Sequence, residues 1–198
     1  MHDLEVRDPD ALQRWLEHVR TALPDIERIG THERDDDRAR YLQVTYASGL
    51  NAPSWVLSDG TLRMLALTLL AYTPHAARIL LIEEPENGVH PRAIEAVMQS
   101  LQSVYDGQVF IATHSPLVLS QVKDSDLMCF AKDPEGAVAI VRGNNHPRPV
   151  RHASRASRSS RVIAAAAPAS ASAASARARF LCCSSRMRSS TVSRATIR

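Results

Sequence analysis

Two adjacent glutamates, Glu83 and Glu84, interrupt the run ILLIEEPENGVHP over residues 79–91. Ile79, Leu80, Leu81 and Ile82 do not alternate with polar residues, which predicts a strand buried on both faces, as in a parallel sheet covered by helices. A carboxylate at the mouth of such a strand is costly to desolvate unless it meets a cation, a donor or a substrate. Two in succession point to a site, the plainer alternative being a solvated strand end. Two other stretches carry residues able to do chemistry: LSDGT (57–61), with Ser58 and Gly60, and FIATHSP (110–116), with His114. Each is weak alone. S-D-G is a common turn, a histidine after a strand is usually structural, and an apolar strand ending in an acid is not rare. Their order and spacing carry the signal.

The elements that must position these residues alternate. Asp8-Pro9-Asp10 opens an amphipathic helix with Leu12, Trp15, Leu16, Val19 and Leu23 at helical spacing, closed by Pro24. THERDDDRAR (31–40) is expected to be a solvated turn, and YLQVTYA (41–47) a strand ended by Gly49 and Asn51. Ser58 can cap a helix over 61–72, whose apolar residues surround most of its circumference, so a buried helix is expected. The 79–82 strand follows. Pro91 suits a first helical turn, and a helix is expected over 92–105. Asp106-Gly107 turns into a strand over 108–113, and a short helix covers 116–122. Strands 126–132 and 137–142 read as a hairpin about Asp133-Pro134-Glu135-Gly136. This is the order of an α/β domain with a mainly parallel sheet flanked by helices.

Residues 1–146 form one domain in this reading, and the text changes at Pro147. The formal net charge is +3, yet all 21 Asp and Glu precede residue 147, while the stretch beyond it holds 11 Arg and no Lys. The overall basicity therefore belongs to no single domain. Residues 147–198 are nearly all Arg, Ser, Ala and Pro without periodicity, so a packed core is not expected there. Three readings stay open: an out-of-frame stretch of a GC-rich gene, a disordered basic tail, and an arm that binds nucleic acid. Cys129, Cys182 and Cys183 give neither a disulfide framework nor metal-ligand spacing, and Cys129 reads as a core residue. The acidic start MHDLEVRDPD has no signal-peptide run, and no window of about 18 apolar residues exists to span a membrane. A cytoplasmic location is the default.

Taken in order, the three stretches resemble the ABC-type ATPases, specifically the AAA-like ones related to the overcoming-lysogenization-defect and chromosome-maintenance ATPases. The resemblance covers roughly residues 41–142. LSDGT resembles the ABC signature, ILLIEEPENGVHP a Walker B strand with its D-loop, and THS the switch-histidine motif. It implies a P-loop NTPase-like fold, ATP and Mg²⁺ as cofactors, and ATP sandwiched between two chains. By position Glu83 matches the acid that holds Mg²⁺, a hard cation suited to carboxylates. Glu84 matches the residue that orients and deprotonates the attacking water. Asn87-Gly88-Val89-His90 matches the D-loop, with Asn87 among the nucleotide-facing residues. His114 matches the histidine that senses the γ-phosphate. Ser58 and Gly60, at a helix N-terminus, make an anion site facing the γ-phosphate bound to the opposite subunit. Asp59, Thr61 and His90 depart from the wording of membrane transporters towards that of stand-alone ATPases.

One part of the pattern is missing. A P-loop reads G-x-x-x-x-G-K-[ST], but the only lysines are Lys123 and Lys132 and no Gly-Lys pair occurs. The chain thus reads as the C-terminal half of an incomplete ATPase domain, expected to turn over little ATP alone. Two alternatives are a non-catalytic subunit that completes the ATP site of a P-loop-bearing partner, and a nucleic-acid binder acting through its tail. As partners the resemblance implies a second copy or such a chain. DNA repair, chromosome maintenance and phage defence are all consistent with these relatives.

Overall fold

The computed structural model describes residues 1–73, 78–105, 107–132, 138–145, 162–164 and 179–183. The chain opens with α1 (His2–Arg7) and α2 (Pro9–Arg20). Asp8 caps α2 by accepting from the Ala11 amide at 2.9 Å, and Pro9 takes the first position, where no amide is needed. Ala11, Trp15, Leu16 and Val19 form the buried face; the helical spacing predicted the last three, whereas Leu12 is only partly buried and Leu23 lies beyond the end of the helix. A three-stranded antiparallel sheet follows: β1 (Ile26–Glu33), β2 (Arg40–Tyr46) and β3 (Asn51–Pro53).

That sheet corrects the expectation of a turn across 31–40. Thr31, His32 and Glu33 belong to β1 and pair with Leu42, Tyr41 and Arg40, leaving a shorter turn at 34–39 that carries the Arg34–Asp37 ion pair. A register shift between Ile26 and Arg28 puts the buried residues Ile26 and Ile29 three apart instead of two. The bulge therefore erases the alternation by which a strand is read.

From α3 (Asp59–Leu69) onward the order matches expectation: β4 (Arg78–Glu83), α4 (Pro91–Gln102), β5 (Gly107–Thr113), α5 (Pro116–Ser120), then the hairpin of β6 (Leu127–Lys132) and β7 (Val138–Arg142). The expected turns at Asp106 and 133–136 lie outside the described residues. β4 and β5 pair in parallel from Arg78↔Gly107 to Glu83↔Ala112. Two short strands, β8 (Val162–Ala164) and β9 (Arg179–Cys183), stand between β5 and β6 in a six-stranded mixed sheet. They lie in the stretch for which no packed core is expected, and the remainder of that stretch lies outside the described residues. The parallel part is smaller than expected, because the hairpin, β8 and the separate N-terminal sheet are all antiparallel in their main pairings.

One core joins these parts. Trp15 and Val19 from α2, Met64 and Leu65 from α3, Ile94, Val97, Met98 and Leu101 from α4, and Val109, Ile111, Leu127 and Cys129 from the sheet belong to one buried cluster. The Trp15 indole N–H donates to Thr68 Oγ1 at 2.9 Å, and that hydroxyl in turn reaches the Met64 carbonyl at 2.9 Å, which clamps α2 to α3. α3 is buried on one face, through Met64, Leu65 and Thr68, while Ala66 is exposed. It is not enclosed all round as its composition suggested.

β4 departs furthest from expectation. Leu80 and Ile82, level with Val109 and Ile111, face the core. Ile79 and Leu81, level with Gln108 and Phe110, are 66% and 78% exposed. The same side of the sheet includes the exposed Ile140 and Val138 of β7. The strand is thus covered on one face, not two, because no described element lies over the other. Among the described residues no helix is long and apolar enough to cross a membrane.

Candidate functional site

The site is built where β4 and β5 end side by side. In open parallel sheets this carboxyl edge is where loops from neighbouring strands converge. Glu83 is the last residue of β4; by alternation from Ile79 and Leu81 it lies on the uncovered side, and it is exposed. Glu84 leaves the strand with φ +46°, a left-handed conformation costly to a residue with a side chain. Its amide donates to the Ala112 carbonyl at 2.7 Å, extending the β4–β5 ladder by one bond. The turn aims its carboxylate back across the strand ends, and Glu84 Oε1 lies 3.1 Å from His114 Nδ1. Their side chains are 36% and 60% exposed, so the pair is open to an incoming group.

Arg63 supports this turn. Its guanidinium donates to the backbone carbonyls of Glu83 at 3.0 Å and Glu84 at 2.9 Å. The first turns of α3 are thereby bonded to the residue with the strained backbone. The motif reading missed Arg63, although it is the lone charge in the otherwise uncharged run 61–72. A cation kept on such a helix needs a partner, and here two carbonyls supply it.

Ser58 caps α3 as predicted: its hydroxyl accepts from the Thr61 amide at 3.2 Å and lies 2.9 Å from Thr61 Oγ1. Gly60 has a second reason to be glycine. A Cβ at residue 60 would fall 2.1 Å from the Gly88 carbonyl oxygen, so any side chain would push apart the 58–63 segment and the 87–90 loop. Gly88 itself has φ +73°. The exposed Asn87 donates its amide to the Glu84 carbonyl at 2.9 Å, and His90 Nδ1 caps α4 by accepting from the Arg92 amide at 3.2 Å. The fold therefore gathers 58–63, 83–90 and 114 in one neighbourhood. Only Glu84 and His114 among the expected residues touch through their side chains; among the described residues no side-chain hydrogen bond joins Ser58 or Asn87 to that pair, Asn87 reaching Glu84 through its backbone amide alone. Nor does any group of three or more His, Cys, Asp or Glu among the described residues form a ready-made metal cage.

The family model described as "AAA domain, putative AbiEii toxin, Type IV TA system" matches residues 2–120. The chain belongs to this AAA-domain ATPase family. The Old nuclease of Escherichia phage P2 is 30% identical over 92 residues, which make up 40% of this chain and 16% of that protein. The chain thus spans about a sixth of the length of that curated relative. A solved structure described as "Structural biochemistry of ATP-driven dimerization and DNA stimulated activation of SMC ATPases" has a similar fold. It superposes with a TM-score of 0.50 at 13% identity, covering 71% of this AAA-domain chain and 88% of that one. The α/β, P-loop NTPase-like architecture is common to both.

Proposed function

We propose that this chain supplies the hydrolytic part of an ATPase site whose phosphate-binding loop comes from another polypeptide segment. The observation that carries the reading is the 3.1 Å contact of Glu84 with His114 at the carboxyl ends of parallel strands, beside an exposed Glu83. Glu84 orients the attacking water and takes its proton; His114 donates towards the γ-phosphate. Glu83 would hold Mg²⁺. A single carboxylate fits a cation whose other ligands are phosphate oxygens and water, the usual arrangement for Mg²⁺. ATP with Mg²⁺ supplies the phosphoryl group and neutralises its charge. Ser58, Gly60 and the N-terminus of α3 form an anion site for the γ-phosphate held by the opposite subunit, and Asn87 lies at that interface. With no Gly-Lys pair in the sequence, the cradle must come from elsewhere. The uncovered face with Ile79, Leu81 and Glu83 is the side from which it would arrive. A dimer, or a complex with a P-loop-bearing chain in the cytoplasm, is the corresponding assembly.

The test is phosphate release by the full chain alone and after co-expression with a P-loop-bearing segment, either that of an AAA-domain relative or one encoded beside its gene. Turnover should be negligible alone and appear in the complex. Turnover by the chain alone that a Glu84→Gln control abolishes would overturn the requirement for a separate P-loop. Turnover of the complex that survives Glu84→Gln would overturn the assigned chemistry.

A further inference from the structure

We propose that Glu86, a residue to which the ATPase reading gives no role, is the positioning residue for His114. The inference rests on that reading only for the importance of the Glu84–His114 pair; the structural argument is separate. The β4–β5 ladder runs out at Glu83↔Ala112 and the single further bond from the Glu84 amide. Beyond it, no backbone pairing among the described residues holds residues 113–115 against the loop that follows β4. Side chains do so instead. The Thr113 hydroxyl donates to Glu86 Oε1, and the same hydroxyl oxygen accepts from the Ser115 amide at 3.0 Å. The residues on both sides of His114 are therefore tied, through one buried hydroxyl, to one carboxylate. Among the described residues His114 makes no other contact of this kind than that with Glu84, so its ring direction is set by the backbone that Glu86 anchors.

The loop is equally constrained at its other end. The Asn87 amide donates to the Glu84 carbonyl and the Val89 amide to the Glu86 carbonyl at 3.1 Å, which fixes Glu84 and Glu86 in one tight turn. Two cross-links between the strand ends result: Glu84 to His114, open to solvent, and Glu86 to Thr113, beneath it. The burial separates their roles. Among the described residues Glu86 Oε2 is buried with no hydrogen-bond partner and Thr113 is buried, so Glu86 is badly placed to reach a water or a cation at the surface. A half-satisfied buried carboxylate is also a poor device for stability alone. An acceptor that orients the segment carrying His114 accounts for both features.

The test uses the full chain, with imidazole carbon labels reporting on His114 and amide exchange reporting on Ser115. Glu86→Ala and Thr113→Val should shift the His114 ring resonances alike and remove the protection of the Ser115 amide. Glu86→Gln and Thr113→Ser, which keep the acceptor and the hydroxyl, should restore both signals. Thermal midpoint and Trp15 fluorescence serve as controls for general unfolding. In an active complex Glu86→Ala should lower kcat by up to ~10²-fold, the scale of a small misplacement, with KM unchanged. Unchanged His114 and Ser115 signals in Glu86→Ala would overturn the proposal, as would failure of both conservative variants to restore them. Shifted signals with no ATP turnover in any complex would leave the positioning role standing and remove the ATPase reading.

Discussion

The antiparallel sheet of β1, β2 and β3 and the parallel pair of β4 and β5 rest on the same core, yet their outward residues differ in kind. In β1 the inward Ile26 and Ile29 are buried, while Glu27, Arg28 and Glu33 face water. In β4 the inward residues are Leu80 and Ile82, but the outward ones are again apolar, Ile79 and Leu81, ending in Glu83. A one-sided sheet records its single cover as alternation, whereas a two-sided sheet writes apolar residues on both faces. The N-terminal sheet therefore has all the cover its side chains ask for. β4 asks for a second cover, over the face on which Glu83 stands. An unfilled structural demand and a candidate reaction centre thus coincide on one surface.

The largest expected effect sharpens the link between that surface and chemistry. In a P-loop-completed complex, Glu84→Gln should slow hydrolysis by roughly 10²–10⁴-fold, the scale of general-base catalysis, while ATP binding persists. Glu83→Gln should instead weaken the Mg²⁺ dependence. Steady-state turnover against Mg²⁺ concentration separates the two; normal turnover in Glu84→Gln with a dead Glu83→Gln would reverse the roles of the neighbours.

The closed region should respond in stability instead. Trp15→Ala removes a fully buried indole and its bond to Thr68, and should cost about 3–5 kcal/mol in urea denaturation. Leu81→Thr, on the bare face, should alter the stability of the isolated chain by no more than about 0.5 kcal/mol. The same change should weaken association with a P-loop-bearing segment, because a leucine buried there contributes about 1.5–3 kcal/mol. Titration calorimetry on both variants tests the contrast. A Leu81→Thr that unfolds the isolated chain would mean that the face is already covered.

The smallest effect lies at the tip of the β1–β2 hairpin. Asp37, hydrogen-bonded by Arg34, is held down from 3.8 to about 2. A lowered carboxylate contributes stability that is present above its ordinary value and lost as the pH falls through its folded value. Any difference between Asp37→Asn and wild type should therefore be constant above about pH 4 and vanish as the pH falls towards 2. Both residues are exposed, so the difference should be barely measurable in thermal melts at neutral pH.

Much of the frame was legible because its signals are local. Asp8 and Ser58 before helical runs, Pro91 opening α4, and the apolar runs of β4 and β5 each act within a few residues of their own position. The bulge in β1 escaped notice since one extra residue breaks the two-residue period on which a strand is recognised. Arg63 and Glu86 escaped for another reason. Their partners lie 20 or more residues away, on carbonyls and a hydroxyl that no motif marks.

By itself the amino-acid sequence determined the order of helices and strands, the family, the absence of a Gly-Lys loop, and the residue types able to meet a cation, a water and a phosphate. Those follow from chain-local propensity, capping and motif spacing. Tertiary structure decided which residues meet. The parallel register of β4 and β5 puts Glu84 beside His114, Arg63 holds the left-handed turn at Glu84, and the missing side chain of Gly60 lets the loop at Gly88 close against α3. It also decided that β4 shows Ile79 and Leu81 to solvent, because an apolar run specifies a need for cover but cannot specify whether a neighbouring element meets it.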